Sequence, residues 1–172
     1  MDAPDLIAVA DAVLSAGVAV ARVTQPYRVA GRRAPAPAGH LDEAWVDVVA
    51  VVRELVPAVA LLVGGRSSGA RVACRTAHLV GALGVVALAF PTHPPGRPER
   101  TREDELPADL PTLVLNGDRD PFGLPSALPA ETDLQVIPGA DHGLKKSGAV
   151  VAEHVLGWLR QHAWASGRAA GL

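Results

Sequence analysis

The stretch Ala58-Val59-Ala60-Leu61-Leu62-Val63-Gly64-Gly65-Arg66-Ser67-Ser68-Gly69 runs from unbroken apolar residues into glycines and serines, and Ser68 to Leu79 returns to helical spacing. A short apolar run bounded by turn residues predicts a buried strand over Ala58 to Val63, followed by a tight turn and a helix. The pattern Gly65-x-Ser67-x-Gly69 puts small residues two positions either side of a serine. A sharp strand-to-helix turn needs them there, because strand and helix backbones come close together at that point. The turn lifts the Ser67 hydroxyl clear of the backbone. It also leaves the N–H of Ser68 at a helix start, aimed where negative charge could gather. A bland alternative is a glycine-rich turn that merely lets strand and helix pack.

Working outward, apolar residues recur at helical spacing from Pro4 to Ala16, and Gly17 stands where that helix would stop. Val18 to Val23 reads as a buried strand, Tyr27 to His40 as a surface loop, and Leu41 to Leu55 as a helix ended by Pro57. Gly84 to Phe90 predicts another strand. Pro91 to Pro111 is a connection rich in proline and charge, with a short helix near Arg102 to Leu106. Thr112 to Asn116 and Leu134 to Ile137 complete the strands, Ser147 to His162 forms an amphipathic helix, and residues 165–172 are expected to fray. Apolar strands alternating with helices indicate an α/β class with a mostly parallel sheet of about five strands covered on both faces. With no repeat and no linker, 1–172 is expected to be a single domain.

Composition narrows the function. Of the 172 residues 49% are hydrophobic and 20% charged, which suits a globular chain, not a disordered one. A net charge of -2 with scattered arginines offers no basic stripe for phosphates, so nucleic acid is not an expected partner. The acidic start Met1-Asp2-Ala3-Pro4-Asp5 is unlike a signal peptide, and the most apolar run, Leu79 to Phe90, is too short to span a bilayer. A cytoplasmic protein with no membrane partner is the expectation. The single Cys74 lies in a helical pattern and is read as buried packing. No cysteine–histidine cluster suggests zinc, and no metal or cofactor is expected.

A serine needs a base to take its proton, and the base needs an acid to orient it. Both follow Ser67 in chain order. The strand Thr112 to Asn116 leads into Gly117-Asp118-Arg119-Asp120-Pro121-Phe122-Gly123, and Leu134 to Ile137 leads into Pro138-Gly139-Ala140-Asp141-His142-Gly143. Loops at the carboxyl ends of parallel strands converge on one edge of the sheet, so Ser67, Asp120 and His142 can meet. Asp118 is read as a turn brace and Asp141 as a brace of its own loop. Arg66, His93 and Phe122 are candidate pocket residues, although His93, in Pro91-Thr92-His93-Pro94-Pro95, suits rigid-loop packing equally well.

These four segments, Gly64 to Gly69, Phe90 to Glu99, Gly117 to Gly123 and Gly139 to His142, resemble the α/β-hydrolase superfamily. The resemblance is to its small dienelactone-hydrolase-like branch, which also includes a scaffold subunit of a chromatin acetyltransferase complex. The connection Pro91 to Pro111 is too short for a large lid, and the elbow leaves the Ser68 N–H as oxyanion donor. The resemblance implies a three-layer sandwich with Ser67 as nucleophile, Asp120 as acid and His142 as base. It also implies, ahead of the first helix, a strand ending in a His-Gly-rich loop with a second oxyanion donor. Because the sequence opens at Met1-Asp2-Ala3-Pro4, an N-terminally shortened domain is expected, with the absent strand belonging between Val18 to Val23 and Ala58 to Val63.

The expected activity is hydrolysis of a small ester or related acyl substrate. The alternative is a weak or inactive hydrolase-like scaffold that binds a protein, and Val18 to Val23 offers an edge through which a homodimer can form. A phosphate-binding turn is the poorest reading, since Gly64 to Gly69 lacks the Lys-Ser/Thr of a P-loop.

Overall fold

The computed structural model describes residues 3–166. Its helices are α1 (Pro4–Ser15), α2 (Pro26–Val29), α3 (Ala38–Leu55), α4 (Ser68–Thr76) and α5 (Gly148–Gln161). Its strands are β1 (Leu62–Arg66), β2 (Gly84–Leu88), β3 (Thr112–Gly117) and β4 (Thr132–Ile137). The strands form one parallel sheet in the order β1-β2-β3-β4.

Side chains alternate across this sheet, so its apolar residues divide between two cores. On one face Leu88, Leu113, Leu115 and Ile137 pack with Val13 of α1 and with Val151, Val155, Trp158 and Leu159 of α5. On the other, Val63, Val85, Ala87 and Val114 pack with Ala70, Ala73 and Cys74 of α4 and with Leu106. Tyr27, Leu41 and Val72 join α2 and α3 to that second layer. The result is the three-layer α/β sandwich that the alternation of elements predicts.

Ion pairs fasten the α4 side. Arg75 reaches Asp42 of α3 through two bonds of 2.6 and 2.8 Å, and it contacts Glu105, in the short 3-10 helix Glu103–Glu105, at 3.0 Å. Arg71 grips the same Glu105. The bond to Asp42 is the main reason the Arg75 guanidinium holds its proton more tightly than usual, with burial opposing it. Beneath this network the Cys74 thiol is pushed up to about 12, first by burial and then by Glu105, with Arg75 opposing. It is a packing residue.

Three sequence expectations are corrected by the structure. Val18 to Val23 is not a strand: it has no ladder partner, and four of its six residues are exposed. The sheet therefore has four strands among the described residues, not about five, and β1 is an edge. A β-rich composition makes a strand only where a neighbouring strand supplies partners, and nothing pairs with the outer edge of β1 here. The expected strand Ala58 to Val63 also moves along the chain, because pairing starts at Leu62 and continues through Gly64, Gly65 and Arg66. The expected loop Tyr27 to His40 contains one turn of α2, with Tyr27 buried, and runs into α3. The expected tail at 165–172 lies, from 167 on, outside the described residues.

Candidate active site

Ser67 sits between β1 and α4 with φ 54 and ψ -115, a backbone conformation that residues with a Cβ rarely hold and that costs on the order of 1–3 kcal/mol. Surrounding bonds enforce it. The Ser67 N–H donates to Leu88 O at 2.9 Å, extending the ladder, while its carbonyl accepts the Arg71 N–H at 3.2 Å, starting the helix. A Cβ on Gly65 would lie 2.5 Å from the carbonyl carbon of Gly69, so the glycine spacing reflects direct backbone contact.

The acid and the histidine arrive from the adjacent strand ends. Asp120 follows β3 with a side chain of 0% exposure, and His142 follows β4 with 24%. His142 Nδ1 lies 2.8 Å from Asp120 Oδ2, and its Nε2 lies 2.8 Å from Ser67 Oγ. A carboxylate can only accept, so Nδ1 donates to Asp120 and Nε2 is left to accept from the serine hydroxyl. The other oxygen of Asp120 accepts the Phe122 N–H at 2.8 Å. A hydroxyl, an imidazole and a carboxylate linked in this order are able to activate a serine.

The expected bracing acids act across the same loops. Asp118 Oδ1 accepts the Gly139 N–H at 2.7 Å, tying the two loops together, and Asp141 Oδ1 accepts the Gly143 N–H at 2.8 Å. Phe122 lies against the His142 ring, with centroids 4.2 Å apart and planes inclined by 33°. His93 turns Nδ1 toward Pro94 O at 2.9 Å, and its backbone N–H donates to Phe122 O at 3.1 Å. Its ring fills the space a Cβ on Gly123 would take, and Gly123 has φ 84. Phe122 is thus brought to the histidine, whereas His93 packs against the loop that carries Phe122. Arg66 points Nη1 at both Asp5 Oδ1 and Gly143 O, at 3.2 and 3.1 Å.

Ser68 opens α4, so its N–H has no partner within the helix. Its hydroxyl reaches Gln25 Oε1 at 3.3 Å and the Tyr27 hydroxyl at 3.5 Å. Tyr27 also lines a hollow of about 590 Å³ with Arg32, Arg33, Pro35, Pro37 and His40.

Sequence reading did not single out Asn116. It is fully buried at the end of β3. Its amide nitrogen donates to Phe90 O at 2.8 Å and Gly123 O at 3.1 Å, and its oxygen accepts the Phe90 N–H at 2.8 Å. It pins the acid loop to the end of β2. The signal was one amide closing an otherwise apolar strand, a place where a buried polar group must be matched. Asp5 was missed as well, since in the sequence it stands only as part of the acidic start of the chain.

The α/β-hydrolase domain family matches residues 1–162, and the chain belongs to that family. Among solved structures it is similar to an α/β serine hydrolase without a lid from Xanthomonas campestris, with TM-score 0.76 and 21% identity over 97% of this chain and 76% of that one. It is also similar to an α/β serine hydrolase homologue from Coxiella burnetii, with TM-score 0.62 and 16% identity over 94% of this chain and 77% of that one. A protein from Bacillus cereus gives TM-score 0.62 and 16% identity, over 88% of this chain and 53% of that one. At these identities the likeness is one of fold. No curated protein matches the sequence. Among the described residues no helix is long and apolar enough to cross a membrane.

Proposed function

We propose that this α/β-hydrolase family member is a serine hydrolase acting on a carboxylic ester or related acyl compound. The carrying observation is the unbroken chain from Asp120 through His142 to Ser67, with both links at 2.8 Å and the serine on a strained turn. Ser67 Oγ attacks the acyl carbon while His142 Nε2 takes its proton. Asp120 keeps Nδ1 protonated and stabilises the imidazolium. The Ser68 N–H, at the start of α4, holds the developing oxyanion. His142 then gives the proton to the departing alcohol, and in the second half water, deprotonated by the same nitrogen, releases the acid and restores Ser67. No cofactor takes part.

The connection between β2 and β3 carries only the short helix Glu103–Glu105, which supports an open site for small, fairly soluble esters. The lidless character of the Xanthomonas campestris relative is in keeping with that. Phe122, beside the imidazole, supplies an apolar surface next to the histidine, and the His93 N–H bonds to its carbonyl.

Steady-state hydrolysis of p-nitrophenyl acetate, butyrate and octanoate checks this reading. Turnover should be highest for the short chains and absent in Ser67→Ala. A folded wild-type chain with no turnover above that variant would favour a non-catalytic, protein-binding role.

A further inference from the structure

Arg66 and Asp5 lie outside the relay, yet each is bound to it. Arg66 is the residue before Ser67, and Gly143, whose carbonyl it holds, is the residue after His142. One guanidinium nitrogen therefore spans the serine turn and the histidine loop. The Gly143 peptide is fixed at its other end too, since Asp141 accepts its N–H. The loop then turns through Leu144, at φ 48 and 1% exposure, into the core beneath α5. Asp5, at the start of α1, is fully buried, and its Oδ2 has no partner. A carboxylate so placed is retained against a desolvation cost that an apolar residue would avoid, and among the described residues its ionic partner is Arg66.

We propose that Asp5 and Arg66 form a positioning strut: Asp5 fixes the Arg66 guanidinium, and Arg66 fixes the Gly143 carbonyl, which sets the distance from His142 Nε2 to Ser67 Oγ. The strut acts through His142 and touches no reacting atom. It couples α1, on one face of the sheet, to the loop that carries the base. Without it the histidine loop keeps its own turn through Asp141 but loses the one side-chain hydrogen bond that, among the described residues, joins it to the serine side apart from the relay itself. The kinetic consequence rests on the hydrolase reading, whereas the effect on the His142 ring does not.

Removing Arg66 alone would strand the buried Asp5 charge and threaten the fold, so the informative variant removes both charges as Asp5→Leu/Arg66→Met. The variant, Arg66→Lys and wild type are compared in two assays after circular dichroism and thermal melting. In the first, the fluorophosphonate labelling rate and p-nitrophenyl acetate kinetics are measured. Misplacing a reacting group by about an ångström costs about 100-fold, so the double variant should lose about that factor in kcat and labelling rate with KM unchanged. Arg66→Lys, whose ammonium can still bridge both oxygens, should stay within about tenfold of wild type.

In the second assay, the downfield Nδ1 proton of His142 is followed by NMR. It should broaden or vanish in the double variant and persist in Arg66→Lys. A folded double variant with wild-type kcat and a wild-type His142 resonance overturns the strut, as does a rise in KM alone, which would make Arg66 a substrate contact. Should wild type neither label nor turn over, the hydrolase reading fails by itself. The His142 resonance then decides the strut: loss in the double variant supports it and persistence overturns it. If the double variant does not fold, Asp5→Asn/Arg66→Gln, which removes both charges while keeping polar side chains of similar size, takes its place: a lost His142 resonance supports the strut, and a wild-type one overturns it.

Discussion

Strand β3 and the segment Val18 to Val23 are both short runs dominated by small and branched apolar residues, yet they end differently. All six residues of β3 are buried between two parallel neighbours, whereas Val18 to Val23 is unpaired and mostly in water. Composition does not separate them; the availability of a neighbour does. The same contrast divides the candidate site. Asp120 and His142 leave from β3 and β4, whose following loops are tied to each other by Asp118 and braced within themselves by Asn116 and Asp141. Ser67 leaves from β1, which among the described residues has a single strand neighbour and relies on the turn, α4 and Arg66.

The largest effect should come from breaking the well-tied side at its chemistry. On the proposed reading, Asp120→Asn presents an amide to His142 Nδ1, favours the wrong tautomer and lowers kcat about 10⁴-fold with the fold intact, measured on p-nitrophenyl acetate. Next is the tie itself. Asn116→Ala leaves the Phe90 N–H, the Phe90 carbonyl and the Gly123 carbonyl without partners in a buried site. It should cost about 3 kcal/mol in urea unfolding, and the acid loop should loosen with it.

The core on the β1 side is sharpened by pH. The folded Cys74 thiol keeps its proton up to about 12, whereas the unfolded thiol loses it from about 9.0 upward. The folded state therefore holds the extra proton in that window, so stability falls as pH rises through it, by at most about 1.4 kcal/mol per unit. Cys74→Ala should flatten this alkaline slope. The smallest effect is expected outside the sheet: Val20→Thr, at a half-open position of 36% exposure, should change stability by no more than about 0.5 kcal/mol. A loss of several times that amount would mean that Val18 to Val23 is covered in solution, as pairing with a second copy would do.

Much of the site was legible because its residues are punctuated. Gly65 and Gly69 mark a backbone contact, and Asp120 and His142 each follow an apolar strand by a few residues, so their convergence follows from parallel topology. Asn116 and Asp5 were not legible, since what each does depends on partners far along the chain. Asn116 bonds to Phe90 and Gly123, and Asp5 to Arg66. The false strand at Val18 to Val23 has the same origin: its residues state a preference, and only the sheet edge could grant it.

The most direct test of the central claim is fluorophosphonate labelling of the purified chain with the modified residue mapped by mass spectrometry. A single adduct on Ser67 is expected, abolished in Ser67→Ala and strongly slowed in His142→Ala. A folded chain that takes up no probe, or takes it up elsewhere, would contradict it.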